Sequence, residues 1–277
     1  MIIPSRWFGG GKGLDDFRRE MLNDNHIRVL VDYENASDCF PGVDIAGGVC
    51  YFLWDRDNPG LCDVVNIRNN ETMHSVRALN EFDTFIRHDQ AASIVRKVCA
   101  FGEPMMSNMV SSRKPFGLPT VARPQESGDI LLRWQNGEGP YRRDEITVGR
   151  ELIDKWKVIT SYVGYDHAGN PGKDGKRRVF SKIDILPPGT ICTETYLVVG
   201  NFDTEQEAKK LVAYMKTLFF RFLVAQCMYS HHITKEAYRL VPIQDFSLSW
   251  TDEKLYAKYG ITDEEIKFIE SMVRPME

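Results

Sequence analysis

Two short apolar segments near the N-terminus constrain the fold more than any other feature of the sequence. Residues 27–32 are rich in β-branched side chains, and residues 49–54 are all apolar or aromatic. Strands with so little polar alternation are typical of a sheet that is covered on both faces. Residues 1–4 are also strand-like, and a further short strand is expected at 62–67. The sequence therefore predicts a covered sheet in the first part of the chain.

Residues with helical spacing separate and follow these strands. Leu14, Phe17, Met21 and Leu22 recur at intervals that place them on one face of a helix of about ten residues. A second helix is expected at about residues 89–100. Strands alternating with helices predict an α/β domain, which we assign to residues 1–100.

The composition changes after this point. Prolines and glycines are frequent between residues 102 and 189, and the apolar segments there are short, which indicates small sheets with long loops. A strand is expected at 191–199. Thr204 with Glu207, and Thr262 with Glu265, have the spacing of capping boxes, and they predict a helix at 204–228 and a short C-terminal helix. Residues 101–277 are thus predicted to form a second, α+β domain.

Composition excludes several classes of protein. The 277 residues are 43% hydrophobic and 27% charged, which is typical of a globular chain, and the net charge of −4 does not by itself indicate a nucleic-acid binder. No apolar run reaches the length of a membrane span, and the N-terminus has no leader pattern, so a cytoplasmic protein is expected. The six cysteines are widely spaced without a C-x-x-C pair, which favours reduced thiols.

The sequence shows no self-sufficient active site, and we assign no catalytic, cofactor-binding or metal-binding residue. The glycine-rich segment at 9–13 lacks the P-loop frame because Lys12 is followed by Gly13, so a flexible connection is the better interpretation. The adjacent His231 and His232 have no nearby carboxylate to complete a metal site, and we interpret them as solvated.

Phe40 lies in a Pro-Gly turn ahead of the apolar segment at 49–54, where an aromatic side chain can face a ligand crevice. The order of segments at the start of the chain resembles the last strands of adenine-specific DNA methyltransferases of restriction-modification enzymes. These segments are Ile3-Pro4-Ser5, the following helix, the strand at 27–33, Phe40-Pro41 and the strand at 48–54. Segments in the second half, such as Ile185-Leu-Pro-Pro and Ile243-Gln-Asp-Phe, are similar to the TaqI-like C-terminal specificity domain of that family.

This resemblance implies a fold and a function. The fold would be α/β, with an incomplete Rossmann-like methyltransferase sheet followed by an α+β target-recognition domain. Phe40 would stack on the extruded target base, because chemistry on a base within a duplex requires flipping it out. The family's S-adenosylmethionine motif and its Asn-Pro-Pro-Tyr motif do not occur in this sequence. We therefore expect the complete enzyme to use S-adenosylmethionine, and this chain alone to be inactive and to need an N-terminal catalytic half as its partner.

Duplex DNA is the other expected partner, and binding it requires lysines and arginines near phosphates. The densest basic stretch follows Asp166, and two shorter ones precede it. The candidate DNA contacts are Lys173, Lys176, Arg177, Arg178, Lys182, Arg142, Arg143, Arg113 and Lys114. A solvated basic loop without a partner is the alternative for each of them.

A different class of function also fits the sequence. The chain could be a stand-alone DNA-binding or interaction module that never methylates. In the methyltransferase interpretation, the strand at residues 1–4 would lack its inner neighbour, and such an exposed sheet edge predicts self-association.

Overall fold

The computed structural model describes residues 1–11, 13–68, 71–166, 171–172 and 174–276. Its eleven strands in these ranges are β1 (Ile3–Pro4), β2 (Ile27–Tyr33), β3 (Val49–Trp54), β4 (Cys62–Arg68), β5 (Glu71–Arg77), β6 (Ile130–Trp134), β7 (Gly137–Tyr141), β8 (Trp156–Ser161), β9 (Ile183–Leu186), β10 (Thr190–Cys192) and β11 (Tyr196–Phe202). The six α-helices are α1 (Asp15–Asn23), α2 (Asp89–Cys99), α3 (Glu205–Lys216), α4 (Leu218–Gln226), α5 (Asp252–Tyr259) and α6 (Asp263–Met272). The architecture is mixed α/β, as predicted.

The first sheet has the strand order β1-β3-β2-β4-β5. Strand β3 runs antiparallel to both of its neighbours, β1 and β2, whereas β2 and β4 are parallel. One face of this sheet packs on α1 and the segment after β1. The core on that face includes Trp7, Phe8, Leu22, Leu30, Cys50, Val64 and Phe85. The edge strand β1 has only two residues, one of them a proline without an N–H group.

The opposite face of the first sheet is open only in part, because Leu53 and Val76 on it are exposed whereas Val31 is buried. The prediction that both faces are covered is therefore wrong for the described chain. The strand register gives this face a row of mainly apolar side chains, which we call the open face: Val29, Val31, Tyr33, Tyr51, Leu53, Val65, Ile67 and Val76. Leu53 and Val76 are 56% and 67% exposed. The strands are apolar as the sequence indicates, but no element among the described residues covers Leu53 and Val76.

Two three-stranded sheets follow, with the orders β10-β6-β7 and β11-β8-β9. They share a core of Ile130, Leu132, Ile159, Ile191 and Val198. The single strand predicted at 191–199 is divided between them, because β10 pairs with β6 in one sheet and β11 pairs with β8 in the other.

The helix predicted at 204–228 is also divided, at Thr217. The Thr217 side chain accepts a hydrogen bond from the Phe220 amide at 3.1 Å, and the Asp252 carboxylate accepts from the amides of Leu218 and Phe219 at 2.9 and 2.8 Å. These acceptors satisfy the free N–H groups that begin α4, so a new helix starts there. The capping box of Thr262 and Glu265 is present at the start of α6, as predicted.

The largest core joins the two parts of the chain. The buried residues of α2 pack with α3, α4, α5 and α6 in this core and not with the first sheet. The packing of α2 thus differs from the expectation that it closes the first domain. The longest described helix, α3, has 12 residues, and none of the helices in the described ranges has the length and apolar character to cross a membrane.

Candidate nucleic-acid interface

Phe40 lies on a compact turn that follows β2. A short 3₁₀ turn, Ala36–Asp38, precedes it, and the Phe40 amide donates to the Ala36 carbonyl at 2.8 Å. The Val43 amide then donates to the Phe40 carbonyl at 3.0 Å. The Phe40 side chain is 40% exposed. A partly exposed ring on a hydrogen-bonded turn is available to a partner, and its predicted role in base stacking stays a prediction.

A buried ionic cluster holds both ends of this turn. The guanidinium Nε of Arg87 lies 3.0 Å from Asp32 Oδ2, and another of its nitrogens donates to the Gly47 carbonyl. The Nε2 atom of His88 lies 3.0 Å from Glu34 Oε1, and Arg68 Nε lies 3.2 Å from Glu34 Oε2. The same charged groups therefore fix the end of β2 and the residues just before β3.

The charges of this cluster depend on one another. Burial alone would raise the pKa of Glu34, but His88, Arg87 and Arg68 together hold that pKa well below its ordinary value. Burial raises the pKa of Asp32 despite the opposing effect of Arg87. Glu34 is thus an ionised carboxylate enclosed by the guanidinium groups of Arg87 and Arg68.

The cluster also contacts the second part of the chain. Arg68 donates to the Gly175 carbonyl and contacts the sulfur of Met272. Arg177 lies beside the cluster, and its Nη1 is 3.3 Å from the carbonyl oxygens of both Ala225 and Met228. The Phe40 turn and the C-terminal part are consequently held by one network.

The structure encloses Arg177, which makes this residue a poor candidate for a DNA contact. Its side chain is buried, burial lowers the pKa of its guanidinium, and its backbone pairs with residues 272–274 next to α6. A phosphate cannot reach a guanidinium enclosed in this way. Lys173, another candidate from the same stretch, lies outside the described residues.

The other basic candidates of this stretch remain accessible. Lys182 is exposed and lies 3.3 Å from Asp184. Lys176 is half-buried, and the Arg178 guanidinium lies 4.6 Å from the centre of the Tyr165 ring. These three cations stay predictions as phosphate contacts.

The remaining basic candidates are paired with carboxylates. Arg143 makes a bidentate pair with Asp154, with both N–O distances at 2.7 Å, and Arg142 lies 2.6 Å from Asp144. Arg113 and Lys114 share Glu194, at 3.1 and 3.8 Å. Because each of these cations would exchange a carboxylate for a phosphate, its net contribution to DNA affinity is reduced.

The structure also reveals a group of rings that sequence reasoning missed. The rings of Tyr162 and His232 are stacked with centroids 4.6 Å apart, and the His231 ring lies 3.9 Å from that of His232. The Arg113 guanidinium lies 4.9 Å from the centre of the Tyr162 ring. The interpretation of the two histidines as simply solvated is therefore incomplete, since His232 is half-buried in a ring stack.

A cleft of about 150 Å³ opens beside this stack. Its walls include the side chains of Arg6, Tyr162 and His232 and the backbone of residues 9–11. The amides of that glycine segment are engaged internally, because Gly10 donates to the Trp7 carbonyl and Gly11 donates to Asp15 Oδ1, both at 3.0 Å. The segment does not direct these amides at a ligand, which agrees with excluding a P-loop. In the described ranges, no group of three His, Cys, Asp or Glu side chains is placed to hold a metal.

Parts of this chain are similar in sequence to known proteins. Residues 1–40 match the family described as Eco57I restriction-modification methylase. An uncharacterized adenine-specific methylase of Mycoplasma pneumoniae is 34% identical over 61 residues, which cover 22% of this chain and 14% of that protein. The shared segment is therefore a small part of the relative.

Among solved structures, that of the type IIG restriction endonuclease BpuSI aligns with 94% of this chain and 42% of its own chain. The sequence identity is 9% and the TM-score is 0.32, a likeness too low to carry an argument. The family match and the curated relative nevertheless agree with the resemblance found in the sequence. That resemblance is confirmed for the matched segments: residues 1–40 are similar to the Eco57I restriction-modification methylase family, and a 61-residue segment is similar to an adenine-specific methylase.

Proposed function

We propose that this chain supplies the C-terminal part of an S-adenosylmethionine-dependent, adenine-specific DNA methyltransferase of a restriction-modification system. It would provide part of the pocket for the target base and the unit that recognises the DNA sequence. The observation that carries this proposal is the family match over residues 1–40, since that segment ends on the exposed Phe40.

The first sheet supports the proposal because it is open where the rest of a methyltransferase domain would lie. Its edge strand β1 has a neighbour on one side only, and the open face presents apolar side chains such as Leu53 to the surface. Exposed apolar side chains grouped on one face often mark a site of protein contact. We infer that the catalytic half continues the sheet beyond β1 and covers the open face, completing a Rossmann-like sheet.

The cofactor is assigned to that catalytic half. The motif that would hold S-adenosylmethionine is absent from this sequence, and the amides of Gly10 and Gly11 are engaged within their own loop. The residues present do not fit the cofactor, so we derive no step through it. This chain alone is expected neither to bind S-adenosylmethionine nor to transfer a methyl group.

The contribution of this chain is to hold the extruded adenine and the flanking DNA. Flipping a base costs a few kcal/mol of stacking and pairing, and an aromatic wall returns part of that energy. Phe40 would be this wall. Lys176, Arg178 and Lys182 of the second part would contact phosphates and fix the register of the duplex.

Reconstitution tests the proposal. The chain is mixed with an N-terminal methylase segment that carries the cofactor and catalytic motifs, and transfer of labelled methyl groups to adenine in duplex DNA is measured. We expect transfer by the mixture and by neither part alone. Leu53→Glu on the open face should abolish it, whereas Leu248→Glu should not, because Leu248 is similarly exposed (54%) but lies elsewhere.

Two results would contradict the proposal. One is an inactive mixture in which both parts are folded and the chain still binds DNA, which would favour a stand-alone DNA-binding module. The other is activity that Leu53→Glu leaves unchanged, which would show that the open face is not the contact with the catalytic half.

A further inference from the structure

We propose that the cleft between Arg6 and the Tyr162–His232 ring stack binds one unpaired nucleotide of DNA, at a place distinct from the Phe40 pocket. The inference rests on the proposed function in one respect, namely that DNA is the partner. The lining of this site includes His232 and the glycine segment at residues 9–11, to which the sequence analysis assigns neither metal binding nor phosphate binding.

The volume of the cleft suits a single ring. An apolar protein cavity of about 150 Å³ holds one benzene molecule, and the cleft has about the same volume. It is well below the several hundred Å³ typical of sites for complete cofactors. A base or a similar planar ring fits this volume.

The lining of the cleft suits a base. Tyr162 and His232 form one wall and are already stacked on each other, so they present a rigid aromatic platform. Their geometry is fixed by backbone hydrogen bonds, because the Ile233 amide donates to the Tyr162 carbonyl and the Gly164 amide donates to the His231 carbonyl, both at 2.8 Å. Aromatic platforms of this kind bind bases irrespective of sequence.

The charge of the cleft suits a phosphate next to that base. Arg6 makes no ion pair with any described residue, although it lies in the same lining as the rings. Glu236, the acidic residue of the lining, lies 4.0 Å from the Arg239 guanidinium, so its charge is partly balanced. The Arg113 guanidinium lies 4.9 Å from the centre of the Tyr162 ring but is paired with Glu194, so Arg6 is the main candidate for a phosphate contact.

The position of the cleft connects it to the target-base region. Tyr229 also lines it, and the Tyr229 carbonyl lies so close to Gly47 that a Cβ there would be 3.0 Å away. Gly47 belongs to the segment that returns from Phe40 to β3. Tyr229 thus contacts the segment that returns from Phe40 and also lines the cleft, and we infer that a nucleotide left unpaired by base extrusion reaches the cleft from that side.

The test measures binding of the full chain to two labelled DNAs by fluorescence anisotropy. One is a fully paired duplex, and the other is the same duplex with a single extrahelical nucleotide. We expect the wild-type chain to bind the second DNA at least about five-fold more tightly, as a single base stack predicts. His232→Ala should remove this preference, and His232→Phe should retain it because it keeps an aromatic ring.

Arg6→Ala should weaken binding of the DNA with the extrahelical nucleotide and reduce the slope of log K against log salt by about one unit. Matched controls are His74→Ala and Arg19→Ala, which remove an exposed histidine on β5 and an exposed arginine on α1. Both should bind the two DNAs as the wild type does, and thermal melting of every variant verifies the fold.

Three outcomes would overturn the proposal. The first is equal binding of both DNAs by the wild type, which would leave DNA binding itself intact. The second is a preference that survives His232→Ala in a folded protein. The third is a preference lost in Phe40→Ala and kept in His232→Ala, which would place the extrahelical base in the target pocket. Failure of the wild type to bind either DNA would instead refute DNA as the partner, and with it the proposed function.

Discussion

Replacing Phe40 by alanine separates a functional role for this ring from a structural one. The side chain is 40% exposed, so about three fifths of the ring is covered. Complete burial of such a side chain stabilises a protein by about 1.5 to 3 kcal/mol, so Phe40→Ala should lower the unfolding free energy by about 1 to 2 kcal/mol. A fully buried ring such as Phe8 should cost about 3 to 5 kcal/mol instead.

Urea unfolding of three variants measures this difference. Phe17→Ala is the matched control, because Phe17 is also 40% exposed and lies on α1, against Trp7. We expect Phe40→Ala and Phe17→Ala to lose similar amounts of stability and Phe8→Ala to lose clearly more.

The functional half of the test uses the reconstituted methyltransferase. Loss of base stacking worth about 1 to 3 kcal/mol should slow methylation by Phe40→Ala about 5- to 150-fold. Part of this loss should be recovered when the target adenine faces a mismatch, because less energy is then needed to extrude it. Phe17→Ala should methylate at nearly the wild-type rate.

Two results would refute this reasoning. A loss of more than 3 kcal/mol in Phe40→Ala with normal methylation would make the ring part of the core. Equal slowing by Phe17→Ala would show that methylation reports general destabilisation and not stacking.

Three further predictions follow from the other elements of the structure. The first replaces the accessible cations Lys176, Arg178 and Lys182 by alanine and leaves the buried Arg177 in place. The slope of log K against log salt for DNA binding should fall by up to about three units, at about 0.9 per phosphate contact. An unchanged slope would show that these side chains are merely solvated. Burial lowers the pKa of Lys157 from 10.5 to about 8, so the unfolded chain binds more protons than the folded chain between these pH values. The unfolding free energy of the wild type should therefore rise with pH across this window, and that of Lys157→Met should rise less. Asp252→Ala removes the acceptor of two amides at the start of α4 and should cost about 1 kcal/mol in urea unfolding, whereas no change would mean that water replaces the carboxylate.

Local sequence patterns were sufficient for the elements that depend on nearby residues. The strands β2 and β3, the helix α2 and the capping box at Thr262 follow from periodicity and from side chains within one turn. Strand β5 was missed because its sequence, Glu71–Arg77, is mostly polar and lies at the sheet edge. A polar edge strand gives no apolar signal to detect.

The features that the sequence could not predict depend on residues far apart in the chain. The break between α3 and α4 uses Asp252, which is 34 residues from Leu218. The ring stack joins Tyr162 to His232, and neither position carries a local signal for the other. The burial of Arg177 likewise depends on the carbonyl oxygens of Ala225 and Met228, which are far away in the sequence. The sequence therefore predicts a uniformly exposed basic loop, although the Arg177 side chain in it is buried.

The buried ionic cluster explains how recognition of DNA could be coupled to the target-base pocket. Glu34 and Arg87 fix the two ends of the Phe40 turn, and Arg68 connects the same carboxylate to Gly175 and Met272 of the C-terminal part. Removing one partner of a buried ion pair costs about 3 to 5 kcal/mol, because the other charge remains enclosed. Movement of the turn relative to the C-terminal part would separate these partners and incur a cost of the same kind. In the proposed function, the Phe40 ring would therefore keep its position when the second part engages DNA, and the register set by phosphate contacts would determine which base meets it.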